Sequence, residues 1–176
     1  MVRLPQRILV LGCPGSGKST LARQLARKRD LPVFHLDDYY WHEGWTKPDP
    51  IQWRDTLEAL VRREEWILDG NHQDTLAIRL ERATSAIVLD MSAALCLYRV
   101  ARRGLVRFLG ETKSLPLRVR PGRLGRFSLD PRFVAKVVLF RQRELPTLLR
   151  ELAERGDVLD VRVLRSTVEV REFLMA

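Results

Sequence analysis

One eight-residue run constrains this chain more than any other feature: Gly12-Cys13-Pro14-Gly15-Ser16-Gly17-Lys18-Ser19, with a second hydroxyl following at Thr20. It satisfies the pattern G-x-x-x-x-G-K-[ST]. It also stands between an apolar stretch, Arg7 to Gly12, and a segment that repeats Leu21, Ala22, Leu25 and Ala26 at helical spacing. Glycines let such a backbone curl until successive N–H groups converge on one point, and the N-terminus of the following helix adds partial positive charge. The loop is therefore expected to cradle phosphate. Lys18 is placed to reach the β and γ groups of a nucleoside triphosphate, and the Ser19 hydroxyl to bind magnesium. Gly12 through Thr20 form the candidate nucleotide-binding set.

Around this loop, strand-like and helix-like segments alternate. Arg7–Gly12, Leu31–Leu36, Trp66–Leu68, Ala86–Leu89 and Asp157–Leu164 read as short strands, several apolar throughout. Asp49-Pro50 opens a helix with Asp as N-cap and Pro at the first helical position. Leu95–Phe108 and Arg132–Arg155 read as helices, the second one started, bent or broken by Pro146. Ser166-Thr167-Val168-Glu169 has the spacing of a capping box for a last helix. The rhythm predicts an α/β fold of three layers, a parallel five-stranded sheet with helices on both faces. At 176 residues, with no repeat, low-complexity tract or linker, the chain is expected to form a single domain over 1–176.

Composition narrows the setting. No apolar run approaches the roughly 20 residues that span a bilayer, and Cys13 and Cys96 show neither disulfide-framework nor zinc-site spacing. A cytoplasmic protein is the expectation. Net charge is +9, and Arg99 to Arg132 holds ten basic residues against two acidic ones, so +8 of it lies in that stretch. Such a segment attracts polyanions.

A guanine-reading Asn-Lys-x-Asp motif is missing, and neither Asp69 nor Asp90 at the strand ends is followed by the Glu that orients a hydrolytic water. What remains is phosphoryl transfer to a bound acceptor, which depends on positioning, metal and cations. Small kinases carry those cations on a mobile lid. The basic stretch over about 110–130, with Gly110, Pro116, Pro121, Gly122 and Gly125, is the candidate. Arg99, Arg103 and Arg107 line one helix face leading into it. Arg103 is the candidate for neutralising the transferring group, and Arg99 and Arg102 for contacting the nucleotide.

Five stretches, the phosphate loop among them, carry a family resemblance: Gly12–Thr20, His35–Trp41, Trp66–His72, Arg79 and Leu89–Met91. Together they resemble the adenylate-kinase-related P-loop kinases often labelled DNA topology modulation protein, over roughly the first 110 residues. The resemblance implies the nucleoside-monophosphate-kinase type of sheet and a nucleotide or small-molecule kinase activity using ATP and magnesium. His35 to Tyr40 also looks like the Asp-bearing segment of uridine-kinase-like enzymes, which makes Asp37 the expected general base or hydroxyl orienter, with Asp38 as alternate. Asp69 is similar to the Asp of the Asp-Gly segment in adenylate kinases and is the candidate water-mediated magnesium partner, with Asp90 competing. Asn71 and Arg79 match family positions and are assigned to the acceptor side.

Tyr39, Tyr40, Trp41 and Trp45 form an aromatic cluster that either stacks on a flat acceptor or packs the subdomain through Trp53. Tyr40 and Trp41 join the acceptor set on the first reading. His35, His42 and His72 lack metal-ligand spacing and are expected to be ordinary hydrogen-bonding residues. The first functional expectation is an ATP-dependent phosphotransferase acting on a nucleoside, nucleotide or similar metabolite. The alternative is a nucleic-acid-binding P-loop switch using the basic segment, and a polynucleotide 5′-hydroxyl kinase would join the two.

Overall fold

A computed structural model of the chain describes residues 6–108, 131–156 and 158–176. Five parallel strands form one sheet: β1 (Arg7–Gly12), β2 (Val33–His35), β3 (Trp66–Asp69), β4 (Ser85–Leu89) and β5 (Asp160–Leu164). Their spatial order is β2-β3-β1-β4-β5. Register pairs Leu9 with both Leu68 and Ala86, and Gly12 with Leu89. The three inner strands are buried on both faces, which is why each reads as an unbroken apolar run. The outer strand β5 instead alternates exposed and covered residues.

Among the described residues eight α-helices connect or follow these strands: α1 (Lys18–Arg29), α2 (Leu36–Tyr40), α3 (Pro50–Val61), α4 (Leu76–Leu80), α5 (Ala93–Phe108), α6 (Pro131–Arg143), α7 (Leu145–Ala153) and α8 (Thr167–Met175). The crossover from β1 to β2 runs one way along the sheet, and the later crossovers from β2 to β3, β4 and β5 run the other way. With every crossover right-handed, the two directions put their helices on opposite faces. Accordingly α1 packs on β1, β2 and β3, and α8 returns beyond β5 to meet α1. The core between the layers holds Leu9, Leu11, Leu36, Leu57, Trp66, Leu68, Leu76 and Leu152, all without solvent exposure. Each such large apolar side chain contributes roughly 1.5–3 kcal/mol on burial.

Local chemistry explains the boundaries. Asp49 caps α3, its Oδ1 accepting the N–H groups of Ile51 and Gln52 at 2.9 and 3.3 Å. Ser166 Oγ accepts the Glu169 N–H at 3.1 Å and Glu169 reaches back, although to the N–H of Arg165. The helical stretch expected over 132–155 divides between Arg143 and Leu145, where Pro146 cannot supply a helical N–H and instead opens α7.

Several boundaries differ from expectation, and the second strand starts at Val33 rather than Leu31. The second strand ends at His35, because Leu36 turns into the core and Asp37 and Asp38 start a helix, where carboxylates are favoured. Asp37 thus stands in the first turn of α2 rather than at a strand end. The last strand begins at Asp160, after a turn in which the Val158 and Leu159 N–H groups both donate to Arg155 O. The basic lid expected over 110–130, and the Arg107 side chain, lie outside the described residues. No helix among the described residues is long and apolar enough to cross a membrane.

Candidate active site

The phosphate loop leaves the C-terminal end of β1, at the centre of the sheet, where α/β folds place their ligands. Two of its glycines are required by space as well as by conformation. A Cβ on Gly12 would lie 2.4 Å from Leu89 O, and one on Gly15 would lie 2.4 Å from Cys96 O; their φ angles are 138° and 84°. The loop therefore presses against β4 and α5 through bare backbone. Gly17 caps α1 without a side chain, so the first N–H groups of that helix keep no side-chain partner. Ser16 Oγ is buried with no hydrogen-bond partner among the described residues. This donor-rich curl, with a helix N-terminus beneath it, fits a phosphate chain.

Lys18 Nζ spans the loop, donating to Gly12 O at 2.8 Å and Cys13 O at 2.9 Å. Loss of hydration lowers its pKa, and the carboxylates of Asp69 and Asp37 partly restore it. Arg99 of α5 donates from Nη1 to Ser16 O at 2.7 Å, so the expected nucleotide-side arginine is anchored on the loop itself. Arg102 is exposed on the same helix. Cys13 and Cys96 are both buried free thiols; Cys13 Sγ donates to Val137 O at 3.6 Å, and the neighbouring Cys96 together with burial pushes the Cys13 thiol pKa up. Ser19 and Thr20 are exposed at the start of α1.

Opposite the loop stands Asp37, its side chain 65% exposed. Partial loss of hydration pushes its carboxyl up, but His72, Lys18 and Arg103 outweigh this and hold it below the usual carboxylate range. Loss of hydration lowers the Arg103 pKa, and the Asp37 carboxylate opposes this. The charges of Lys18 and Arg103 both act on Asp37, so these three expected residues lie within electrostatic reach of one another. Asp38 lies beside Asp37 in α2 and is partly covered.

The loop after β3 closes the other side. Asn71 Oδ1 accepts the Gly12 N–H at 2.9 Å, which makes Asn71 a brace for the phosphate loop. Arg79, expected among acceptor-side groups, is fully buried instead. Its Nη1 donates to Gly70 O at 2.8 Å and its Nη2 to Asn71 O and His72 O. Converging carbonyls consume the guanidinium, so Arg79 supports this loop from below. Burial lowers its pKa to about 10, with Asp74 and Glu151 opposing, so it remains charged at neutral pH.

Aromatic rings pack beside it. Tyr40 meets Trp41, Trp53 and His72 at centroid distances of 5.0, 5.1 and 4.5 Å, and Trp41 meets Trp45 at 5.5 Å. Trp53 is buried and Trp45 is exposed, so one cluster runs from core to surface.

For a magnesium ion, the two carboxylates considered differ sharply. Asp90 is taken by Arg141 of α6, with Nε and Nη2 at 2.9 and 3.0 Å from its two oxygens. Asp69, buried at the end of β3, uses Oδ2 to meet His35 Nδ1 at 2.7 Å, and its charge acts on Lys18. Among the described residues no three His, Cys, Asp or Glu converge as a metal cage. A magnesium held by one hydroxyl, water and phosphates needs none.

Three pairings escape a reading of the sequence: His35 with Asp69, His72 with Asp37, and Arg141 with Asp90. Only the first leaves a signal there, since His35 and Asp69 each close a strand and fall into register on neighbouring ones.

Comparison with known proteins agrees with this geometry. A family profile described as an AAA domain matches residues 8–107. A shikimate kinase of Blochmanniella floridana is 31% identical over 171 residues, covering 96% of this chain and 85% of that one. The protein YqaC of Bacillus subtilis (strain 168), described as uncharacterized, is 39% identical over 71 residues, so the chain spans only 39% of its length. A solved shikimate kinase from Acinetobacter baumannii, in complex with shikimate, superposes with a TM-score of 0.53 at 18% identity, covering 98% of this chain and 89% of that one. At that identity the superposition shows a shared fold. The sheet order, the phosphate loop and these relatives together place the chain in the AAA domain family of P-loop proteins, as a kinase of the small-molecule type.

Proposed function

We propose that the protein transfers the γ-phosphoryl group of ATP to a hydroxyl of a nucleoside, nucleotide or similar small metabolite. The observation that carries this reading is the glycine-curled loop at the end of the central strand β1, with Lys18 Nζ lying across it on Gly12 O and Cys13 O and the Asp37 carboxylate within reach of its charge. Such a site holds a phosphate chain on one side and a proton acceptor on the other. The acceptor O–H bond breaks as its oxygen bonds to the γ-phosphorus, the proton passes to Asp37, and the bond to the β-phosphate oxygen breaks to release ADP. Lys18 follows the β and γ oxygens, Arg103 offsets charge on the transferring group, and Arg99 keeps the loop shaped for the phosphates. Ser19 through its hydroxyl, and Asp69 through a water, would hold a magnesium ion, which would supply neutralisation of the phosphate charge.

Tyr40, Trp41 and Asp38 border the acceptor side, and a flat ring stacked on the aromatic pair suits them. The resemblance to the DNA topology modulation proteins supports the same family of acceptors. The relative from Blochmanniella is a shikimate kinase, so shikimate belongs among the acceptors to be tried. A cytoplasmic location goes with this chemistry, where ATP is supplied.

The test is transfer of label from γ-labelled ATP to a panel of nucleosides, nucleotides, metabolite alcohols, shikimate and a 5′-hydroxyl oligonucleotide. Label on any one of them supports the reading. ATP binding with label on none of them counts against it. The +8 of charge between Arg99 and Arg132 favours a second reading, binding of nucleic acid. Steeply salt-dependent affinity for an oligonucleotide supports that reading, and its absence removes it.

A further inference from the structure

His72 occupies an unusual position for an ordinary loop residue. Its backbone is left-handed, with φ 32° and ψ 65°. Non-glycine residues hold that conformation only where the surroundings enforce it, and such places concentrate at functional sites. Here the enforcement is visible. The His72 carbonyl accepts three bonds, from Arg79 Nη2 at 2.8 Å and from the Thr75 N–H and Oγ1 at 3.0 Å each. The imidazole packs against two rings, Tyr40 at 4.5 Å and Trp53 at 5.2 Å.

What this fixed ring presents is a single nitrogen. His72 Nε2 lies 3.2 Å from Asp37 Oδ1, and the side chains are 13% and 65% exposed respectively. A covered donor therefore meets an open carboxylate. An ionised carboxylate only accepts, so Nε2 carries the proton in this pair. An aspartate at the mouth of a cleft otherwise samples several rotamers. Binding one of its oxygens selects one of them.

We propose that His72 is the positioning residue of the acceptor carboxylate: Nε2–H holds Asp37 Oδ1 so that Oδ2 stays turned toward the acceptor hydroxyl. The buried Arg79 guanidinium is the base of this arrangement, because it holds the backbone from which His72 projects. This inference rests on the phosphotransfer reading given above. It adds that the geometry of the base is set from the loop after β3, a segment separate from the helix α2 that carries Asp37.

The test uses the full-length protein and three substitutions. His72→Phe keeps a ring between Tyr40 and Trp53 but has no donor, and His72→Gln keeps an N–H of similar reach. The groups facing Asp37 are Lys18 from α1, Arg103 from α5 and His72, with Asp38 on its own helix; His72→Phe leaves the others in place. With the acceptor that takes label, His72→Phe is expected to lower kcat about tenfold or more while the KM for ATP stays near wild type. The acid limb of its rate profile moves to higher pH, and His72→Gln recovers most of the rate. Carbon NMR of the Asp37 carboxyl gives a readout free of activity: its titration midpoint rises in His72→Phe, and the assigned signal vanishes in Asp37→Asn.

A folded His72→Phe protein with wild-type kcat and an unmoved Asp37 midpoint overturns the proposal and leaves His72 as packing. If wild-type protein labels no acceptor, the phosphotransfer reading falls. The NMR titration then still decides the pairing by itself, an unchanged midpoint refuting it.

Discussion

Asn71 Oδ1 accepts the Gly12 N–H at 2.9 Å, which ties the loop after β3 to the first residue of the phosphate loop, 59 positions earlier. The same three-residue loop delivers His72 to Asp37 at 3.2 Å. One short segment thus touches both the phosphate-holding and the acceptor-facing parts of the cleft.

Removing the first of these contacts leaves the Gly12 N–H without its partner. Asn71→Ala is expected to lower unfolding stability by about 1–3 kcal/mol, the cost of an unsatisfied covered donor. It should also raise the KM for ATP, since the loop loses its brace. Urea denaturation and initial-rate kinetics check the two effects separately.

Arg79 supplies the second prediction. With its charge buried and its donors spread over the backbone carbonyls of Gly70, Asn71, His72 and Thr75, Arg79→Leu should cost roughly 2–4 kcal/mol. Arg79→Lys should recover little, because an ammonium cannot reproduce a planar fork of donors. Thermal melts of the two variants measure this directly. Near-equal recovery by lysine argues that charge alone matters there.

Gly15 gives a steric prediction. Alanine at this position puts a Cβ at 2.4 Å from Cys96 O with φ at 84°, so α5 or the loop must shift. Nucleotide affinity should fall more than stability does, because the loop is the softer element. Calorimetric ATP binding alongside a melt separates the two.

Much of this architecture is legible in the residues and some is not, for physical reasons. β1 and its loop announce themselves because a doubly buried strand must be apolar and a phosphate cradle must be glycine-rich. Asp49-Pro50 marks the start of α3 because capping is local chemistry. Asp37 can be picked out as a carboxylate, but its place in a helix turn depends on Leu36 finding the core, which no local pattern states. Arg79 misleads for a related reason. A charged residue suggests a ligand, and only the tertiary convergence of the Gly70, Asn71 and His72 carbonyls makes it structural. Asp69 and Asp90 look alike at strand ends until Arg141, 51 positions away, takes Asp90.

The pH dependence of stability follows from Asp37. Its carboxyl titrates below its usual value of 3.8 when folded, held down by His72, Lys18 and Arg103 against partial desolvation. A group depressed in this way adds stability above its unfolded pKa and loses it as pH falls through the folded value. Asp37→Asn should therefore narrow the stability difference between about pH 6 and about pH 3. A variant whose difference equals that of the wild type shows that the cations do not act on this carboxylate in the folded state.

The most direct measurement compares wild type, Lys18→Ala and Asp37→Asn for transfer of γ-label from ATP to the acceptor found in the panel, with folding checked by circular dichroism. The account predicts that wild type transfers label and folded Lys18→Ala transfers none. It predicts that Asp37→Asn retains ATP affinity while its turnover falls by a factor of about 10² or more. Undiminished transfer by either folded variant would contradict the assignment of this cleft as the site of phosphoryl transfer.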